Sequence, residues 1–196
     1  MKKLFLLVAS LVVMWANSAG AAIIVTLDSV GKDISNPSLF DWIYRADLQP
    51  SQKMTADDFF TVYDFANVVN AQFNLNSDVA GHTFTVSQAN TGKTNSSIAP
   101  PDSPSIGNVS VSLTGGGDIM PTGGHVVTLG NLVVQSTTDT PILGWFSGQG
   151  VNISNGTPAA NDGRVLVAVP EPASLTLMLV GLIAVGALAA RRRSSD

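Results

Sequence analysis

Gly92-Lys93-Thr94 carries the lysine and hydroxyl with which a phosphate-binding loop ends. Such a loop also needs a glycine five residues earlier, so that backbone N–H groups can close on the phosphates, and Ser87 stands there. Asn74-x-Asn76-x-Asp78 imitates the oxygen spacing of a calcium loop. Its sixth position is Val79, where the sharp turn takes glycine, and its twelfth is Thr85, where a glutamate closes the shell. Gly115-Gly116-Gly117-Asp118 does not repeat, so it is not a calcium-binding β-roll. His82 and His125 each stand beside a glycine, and no His-Glu-x-x-His spacing offers zinc a ready pair of ligands; both read as surface turn histidines. Ser147, in Trp145-Phe146-Ser147-Gly148, lacks the first glycine of a nucleophile elbow. The chain has no cysteine, which removes disulfides and thiolate chemistry. Two aspartates could share acid–base work if the fold joined them, but no spacing singles out a pair. The expectation is a protein that is not an enzyme, with no catalytic residue, cofactor or metal ligand assigned. Weak calcium binding among its aspartates stays open.

Stacking on a sugar ring is the chemistry that remains. Trp42 and Tyr44 fall on the apolar face of an alternating segment and read as core. Trp145, flanked by Gly144 and close to Gly148, is the candidate for ligand stacking.

Charge narrows the partners. Five of the ten basic residues lie at the ends: Lys2, Lys3, Arg191, Arg192 and Arg193. Residues 22–168 keep five basic residues against twelve aspartates. Nucleic-acid binding needs a basic footprint, so an acidic middle argues against it.

The two ends read as addresses. Met1-Lys2-Lys3 is a positive start, Leu4 to Trp15 is an uncharged apolar run, and Ala19-x-Ala21 supplies the small residues that signal peptidase accepts. Twelve helical residues span about 18 Å, short of the ~30 Å hydrocarbon layer. Residues 1–21 are therefore expected to be a signal peptide, cut after Ala21. At the other end, Pro170-Glu171-Pro172 precedes a charge-free run from Ala173 to Ala190, and Arg191 to Arg193 follow. Eighteen helical residues reach about 27 Å, enough for one transmembrane helix. The arginines form a membrane stop on the cytoplasmic side. The prolines keep the segment before the helix extended. Glu171, the chain's one glutamate, is the charged handle between them.

This tail, residues 169–196, resembles the PEP-CTERM sorting signal of Gram-negative bacteria that make exopolysaccharide. The resemblance implies recognition by exosortase, a membrane-embedded cysteine enzyme that removes the anchor. Pro170, Glu171 and Pro172 would then be the sorting motif. Asp57-Asp58-Phe59-Phe60-Thr61-Val62-Tyr63-Asp64-Phe65 is similar to a segment found in many short PEP-CTERM proteins, and it carries no activity with it.

Between the ends the pattern is β. Phe40, Trp42, Tyr44, Ala46 and Leu48 alternate with Asp41, Ile43, Arg45 and Asp47, the period of a half-buried strand. Similar readings place strands at 23–27, 59–65, 83–87, 109–114, 126–136, 142–147 and 164–169. Gly130 predicts a bulge that shifts the apolar face from Val127 and Leu129 to Leu132 and Val134. Asn155-Gly156 and Asp162-Gly163 predict turns, and Thr91 to Gly107 a long surface loop. A short helix is possible near Asp64–Ala71. The fold expected for residues 22–168 is all-β: an antiparallel β-sandwich of about eight strands, preceded by a signal-peptide helix and followed by the transmembrane helix.

Together these readings describe an exported, non-catalytic surface or matrix protein. The alternative is a carbohydrate-binding or adhesion module of the exopolysaccharide matrix. The expected partners are signal peptidase, an exosortase-type enzyme and exopolysaccharide, and no nucleic acid. The expected route is an inner-membrane intermediate with its domain facing the periplasm, then the cell surface or matrix.

Overall fold

The computed structural model describes residues 22–169. The signal peptide with Ala19 and Ala21, the sorting motif Pro170–Pro172, the membrane helix and Arg191–Arg193 lie outside the described residues. Among the described residues no helix is long and apolar enough to cross a membrane.

Ten strands form: β1 (Ile23–Lys32), β2 (Phe40–Leu48), β3 (Gln52–Lys53), β4 (Phe59–Val62), β5 (Val68–Leu75), β6 (Thr83–Ala89), β7 (Asn108–Gly115), β8 (Val127–Ser136), β9 (Pro141–Asn152) and β10 (Pro158–Ala168). One sheet runs β1-β2-β8-β5 and the other β10-β9-β4-β7-β6, with β3 added to β9, and every pairing is antiparallel. Their inner faces share one apolar core, as a sandwich requires. Trp42, Tyr44, Ala46 and Leu48 are fully buried in it, as the alternation of β2 predicts.

Aromatic edges close the core across the layers. Phe65 meets Trp42 at 5.4 Å between ring centroids and an interplanar angle of 85°. Phe73 of β5 lies 5.6 Å from Phe60 of β4 and 5.1 Å from Phe84 of β6. The indole N–H of Trp42 donates to the Thr138 carbonyl at 3.0 Å, and the Tyr44 hydroxyl to the Leu166 carbonyl at 2.8 Å, so both core aromatics satisfy their polar ends.

The bulge at Gly130 is present. Ala46 pairs with Gly130 while Asp47 pairs with Thr128, which leaves Leu129 as the extra residue. Leu129, Leu132 and Val134 are all fully buried, so the change of phase keeps the apolar side inward. Gly130 has φ +151°, and a side chain there would overlap the Asn74 carbonyl of β5.

Three expectations need correction. The possible helix near Asp64–Ala71 is instead a turn followed by β5. Asp64 and Asn67 hold positive φ of 53° and 54°, which a right-handed helix cannot accommodate. Asp162-Gly163 is no turn but lies inside β10, paired with Ser147 and Phe146. The glycine is needed there for packing, because a Cβ on Gly163 would sit 2.5 Å from the Phe146 ring. The count of about eight strands omits β3 and β5.

Candidate functional site

The loop of residues 91–107 is a strap laid across the outer face of the second sheet. The Lys93 carbonyl accepts from the Thr61 hydroxyl at 2.7 Å and from the Tyr63 hydroxyl at 2.9 Å. Beneath it, Thr61 bonds Ser110 at 2.8 Å, and Tyr63 bonds Ser147 at 2.8 Å. The Lys93 ammonium reaches the Asp57 carbonyl at 3.0 Å and lies 4.8 Å from the Phe59 ring centroid. Gly92 is packed so tightly on the Tyr63 ring that any side chain would displace it. The strap's two arms are joined through Asp102, which accepts from the Gly92 N–H at 3.0 Å and from the Asn108 amide at 2.9 Å.

This network absorbs several residues singled out for chemistry. Gly92 and Lys93 clamp the strap. Ser147 is fully buried and bonded to Tyr63. All four residues of β4 are buried, because the core covers one face and the strap the other. Asn76 accepts from the Asp78 N–H at 3.0 Å and so caps the 3-10 turn Ser77–Val79. Asn95, Asn152 and Asn155 accept from the N–H of the Ser or Thr two residues on, the Asx-turn bond that such residues favour in loops.

Two open clefts flank the sandwich. The first, of about 470 Å³, is lined by Asp78, His82, Asp118 and His125 together with Ile119 and Met120. The fold therefore brings together two histidines that are distant in sequence, which residue spacing could not reveal. His82 Nδ1 lies 3.2 Å from the Val79 carbonyl. Among the described residues no group of three or more histidine, aspartate or glutamate side chains is placed to hold a metal ion.

The second cleft, of about 290 Å³, lies between the strap and the end of the β9–β10 hairpin; Pro101 and Ile106 form one wall, and Leu143, Trp145 and Arg164 the other. Trp145, the proposed stacking residue, faces outward on β9 and is half-buried. The Arg164 guanidinium stands 3.9 Å from its ring centroid, so a cation already occupies a face that a sugar would use. Arg164 is also Trp145's cross-strand partner, which is why the two meet.

The chain leaves the sandwich beside this second cleft. Val169 donates to the Thr140 carbonyl at 3.2 Å, and Ala168 accepts from the Ala66 N–H at 3.0 Å. A β-domain whose last strand runs straight into a proline-flanked glutamate, an apolar run and three arginines has the build of an exported protein sorted by its C-terminal segment. Comparison with protein families shows which sort: the PEP-CTERM protein-sorting motif matches residues 168–193, so the chain carries that motif at its C-terminal end. The motif marks an exported protein that passes through the membrane for processing by exosortase. No curated protein matches the chain.

Proposed function

We propose that this is a non-catalytic surface or extracellular-matrix protein, exported by the signal at residues 1–21. It is held in the inner membrane by residues 173–190, and an exosortase releases it there by reading Pro170-Glu171-Pro172. The carrying observation is that the sorting motif begins at residue 168, the last residue of β10, so the recognition residues follow the folded strand without a linker. Exosortase would then meet its recognition residues at a short, set number of residues from the domain. Glu171 supplies the charged handle, and Arg191 to Arg193 hold the helix in place until cutting. A non-catalytic role is supported by how the hydroxyls of Thr61, Tyr63, Ser110 and Ser147 are used, bonded to one another and to the strap.

The test is Glu171→Ala in a host that carries the cognate enzyme, followed by fractionation and blotting. The variant should stay in the inner membrane at the larger mass while the wild type is released at the smaller. If both remain membrane-bound at one size, the segment is a plain anchor and the sorting role fails.

A further inference from the structure

The residues around the chain's exit form an amphipathic patch. Leu143 pairs with Leu166, and Trp145 with Arg164. Neighbouring Phe146, Val165 and Val167 point into the core, so strand alternation turns these four outward. Leu143 is 53% exposed, Leu166 41%, and Ile142 at the rim 51%. Ile34, 99% exposed, projects from the β1–β2 connection at the same end, since Phe40 pairs with Ser136 and β9 begins five residues later at Pro141. Lys32, which pairs with Phe40, adds a second cation there. The N-terminal side of the domain lies at the other end. Ala22 is bonded to Asn161, and the strand from Asn161 to Val169 rises roughly 26 Å.

We propose that this patch docks on the lipid surface while the protein is tethered, inserting Leu143, Leu166 and Trp145 among the headgroups with Arg164 toward lipid phosphate. The proposal rests on the reading that residues 173–190 span the bilayer. Four residue steps separate Val169 from Ala173, and a fully extended chain covers them in at most about 14 Å. The headgroup layer itself takes up ~6 Å on each side of the hydrocarbon. The exit end is therefore held within roughly 8 Å of the headgroup layer, close enough for its exposed side chains to reach it. Aromatic rings at headgroup depth and arginine on phosphate are the chemistry that this location rewards. Leucine side chains that gain nothing in water gain burial there. Docking would also hold Pro170-Glu171-Pro172 flat at the membrane edge, where a membrane enzyme can reach it.

The absence of cysteine makes the test direct. Leu143→Cys lies near the start of β9 and Ile153→Cys one residue beyond its end, roughly 30 Å apart, and both sites are exposed. Each variant of the full chain carries a nitroxide label and is reconstituted into phosphatidylethanolamine–phosphatidylglycerol vesicles. Collision with dissolved oxygen and with a water-soluble nickel chelate is then measured. Position 143 should be shielded from nickel by roughly threefold or more relative to 153, because lipid displaces water on one side. Trp145→Ala with Arg164→Glu should abolish the difference. Equal values at 143 and 153, whether high or low, overturn the proposal. So does shielding that appears only after exosortase or polysaccharide is added, which would assign the patch to that partner. Alkaline carbonate extraction of the same vesicles separates the two claims. Protein that resists extraction with an aqueous label at 143 refutes docking alone, and protein that washes off refutes the spanning helix and docking with it.

Discussion

Truncating Trp42 and Trp145 in parallel tests how the sandwich divides its aromatics between core and surface. Trp42 is fully buried, meets Phe65 edge-on at 5.4 Å and donates to the Thr138 carbonyl. Trp42→Ala removes the largest buried side chain and leaves that carbonyl unpaired. Truncations of buried aromatics cost ~3–5 kcal/mol, and the lost hydrogen bond of about 1 kcal/mol places this one in the upper half of the range. A domain of this size holds roughly 7–20 kcal/mol in all, so a large share is lost. Trp145 stands half-buried on the outer face, and its most specific contact is the Arg164 guanidinium. Such an exposed cation–π contact is worth about 0.5–1 kcal/mol, so Trp145→Ala should cost ~2 kcal/mol once partial burial is added. Urea unfolding of residues 22–169, followed by far-ultraviolet circular dichroism, measures both. The midpoint should fall at least twice as far for Trp42→Ala, with slopes unchanged. Losses of equal size would refute the assignment of Trp42 to the core and Trp145 to the surface.

Three further outcomes are expected. N-terminal sequencing of exported protein should read Ala22 first. Ala22 is buried and its N–H is bonded to Asn161 at 2.8 Å, so cleavage after Ala21 has to precede folding, and a start at Met1 would refute export through this signal. Burial raises the Tyr44 phenol well above its ordinary value of 10.0. The fold thus favours the neutral form, its contribution is complete below about pH 10 and is lost as pH rises further, and Tyr44→Phe should flatten that alkaline decline in unfolding midpoint. Gly130→Ala should cost ~2–4 kcal/mol in the same assay, since its new methyl meets a backbone carbonyl at a positive φ; a neutral result would mean that β5 can shift freely against β8.

What could be read from residue order depended on whether alternation ran unbroken. Phe40–Leu48 is uninterrupted, and β2 has those bounds. Val68–Leu75 was hidden by its own bulge. The register shift between Val68 and Asn70 puts Val68, Ala71 and Phe73 against the core, and a step of three followed by a step of two mimics helical spacing. Gly163 looked like a turn residue because its packing against Phe146 depends on a partner strand seventeen positions away. The strap was legible as a loop and illegible as a cover, because its main contact is the Lys93 backbone carbonyl, which no residue type announces. His82 and His125 share a cleft only because the start of β6 and the segment before β8 lie on the same side. The tail, by contrast, was plain in sequence because charge, proline and apolar length act there without tertiary context.

The segment Asp57–Phe65 has a physical role that joins it to the tail. Phe60, Val62 and Phe65 fill the core, while Phe59, Thr61 and Tyr63 are buried beneath the strap, so β4 is fixed on both faces. Asp64 accepts from the Ser103 N–H at 2.8 Å, and its own N–H donates to Asn108 at 2.7 Å, which binds the strap to the end of β4. Phe65 donates to the Gly107 carbonyl at 2.7 Å, and the next residue, Ala66, donates to the Ala168 carbonyl at 3.0 Å. Ala168 is where the sorting motif begins to match. Tyr44 holds Leu166 two residues earlier, and Thr140 holds Val169 one residue later. The root of the tail is thus pinned at three points, Leu166, Ala168 and Val169, by three different parts of the fold. Flexibility there would let the proposed recognition residues wander from the domain's end. A pinned root sets the register from which the proposed recognition residues, Pro170-Glu171-Pro172, would be presented, and Asp57–Phe65 supplies part of that pinning.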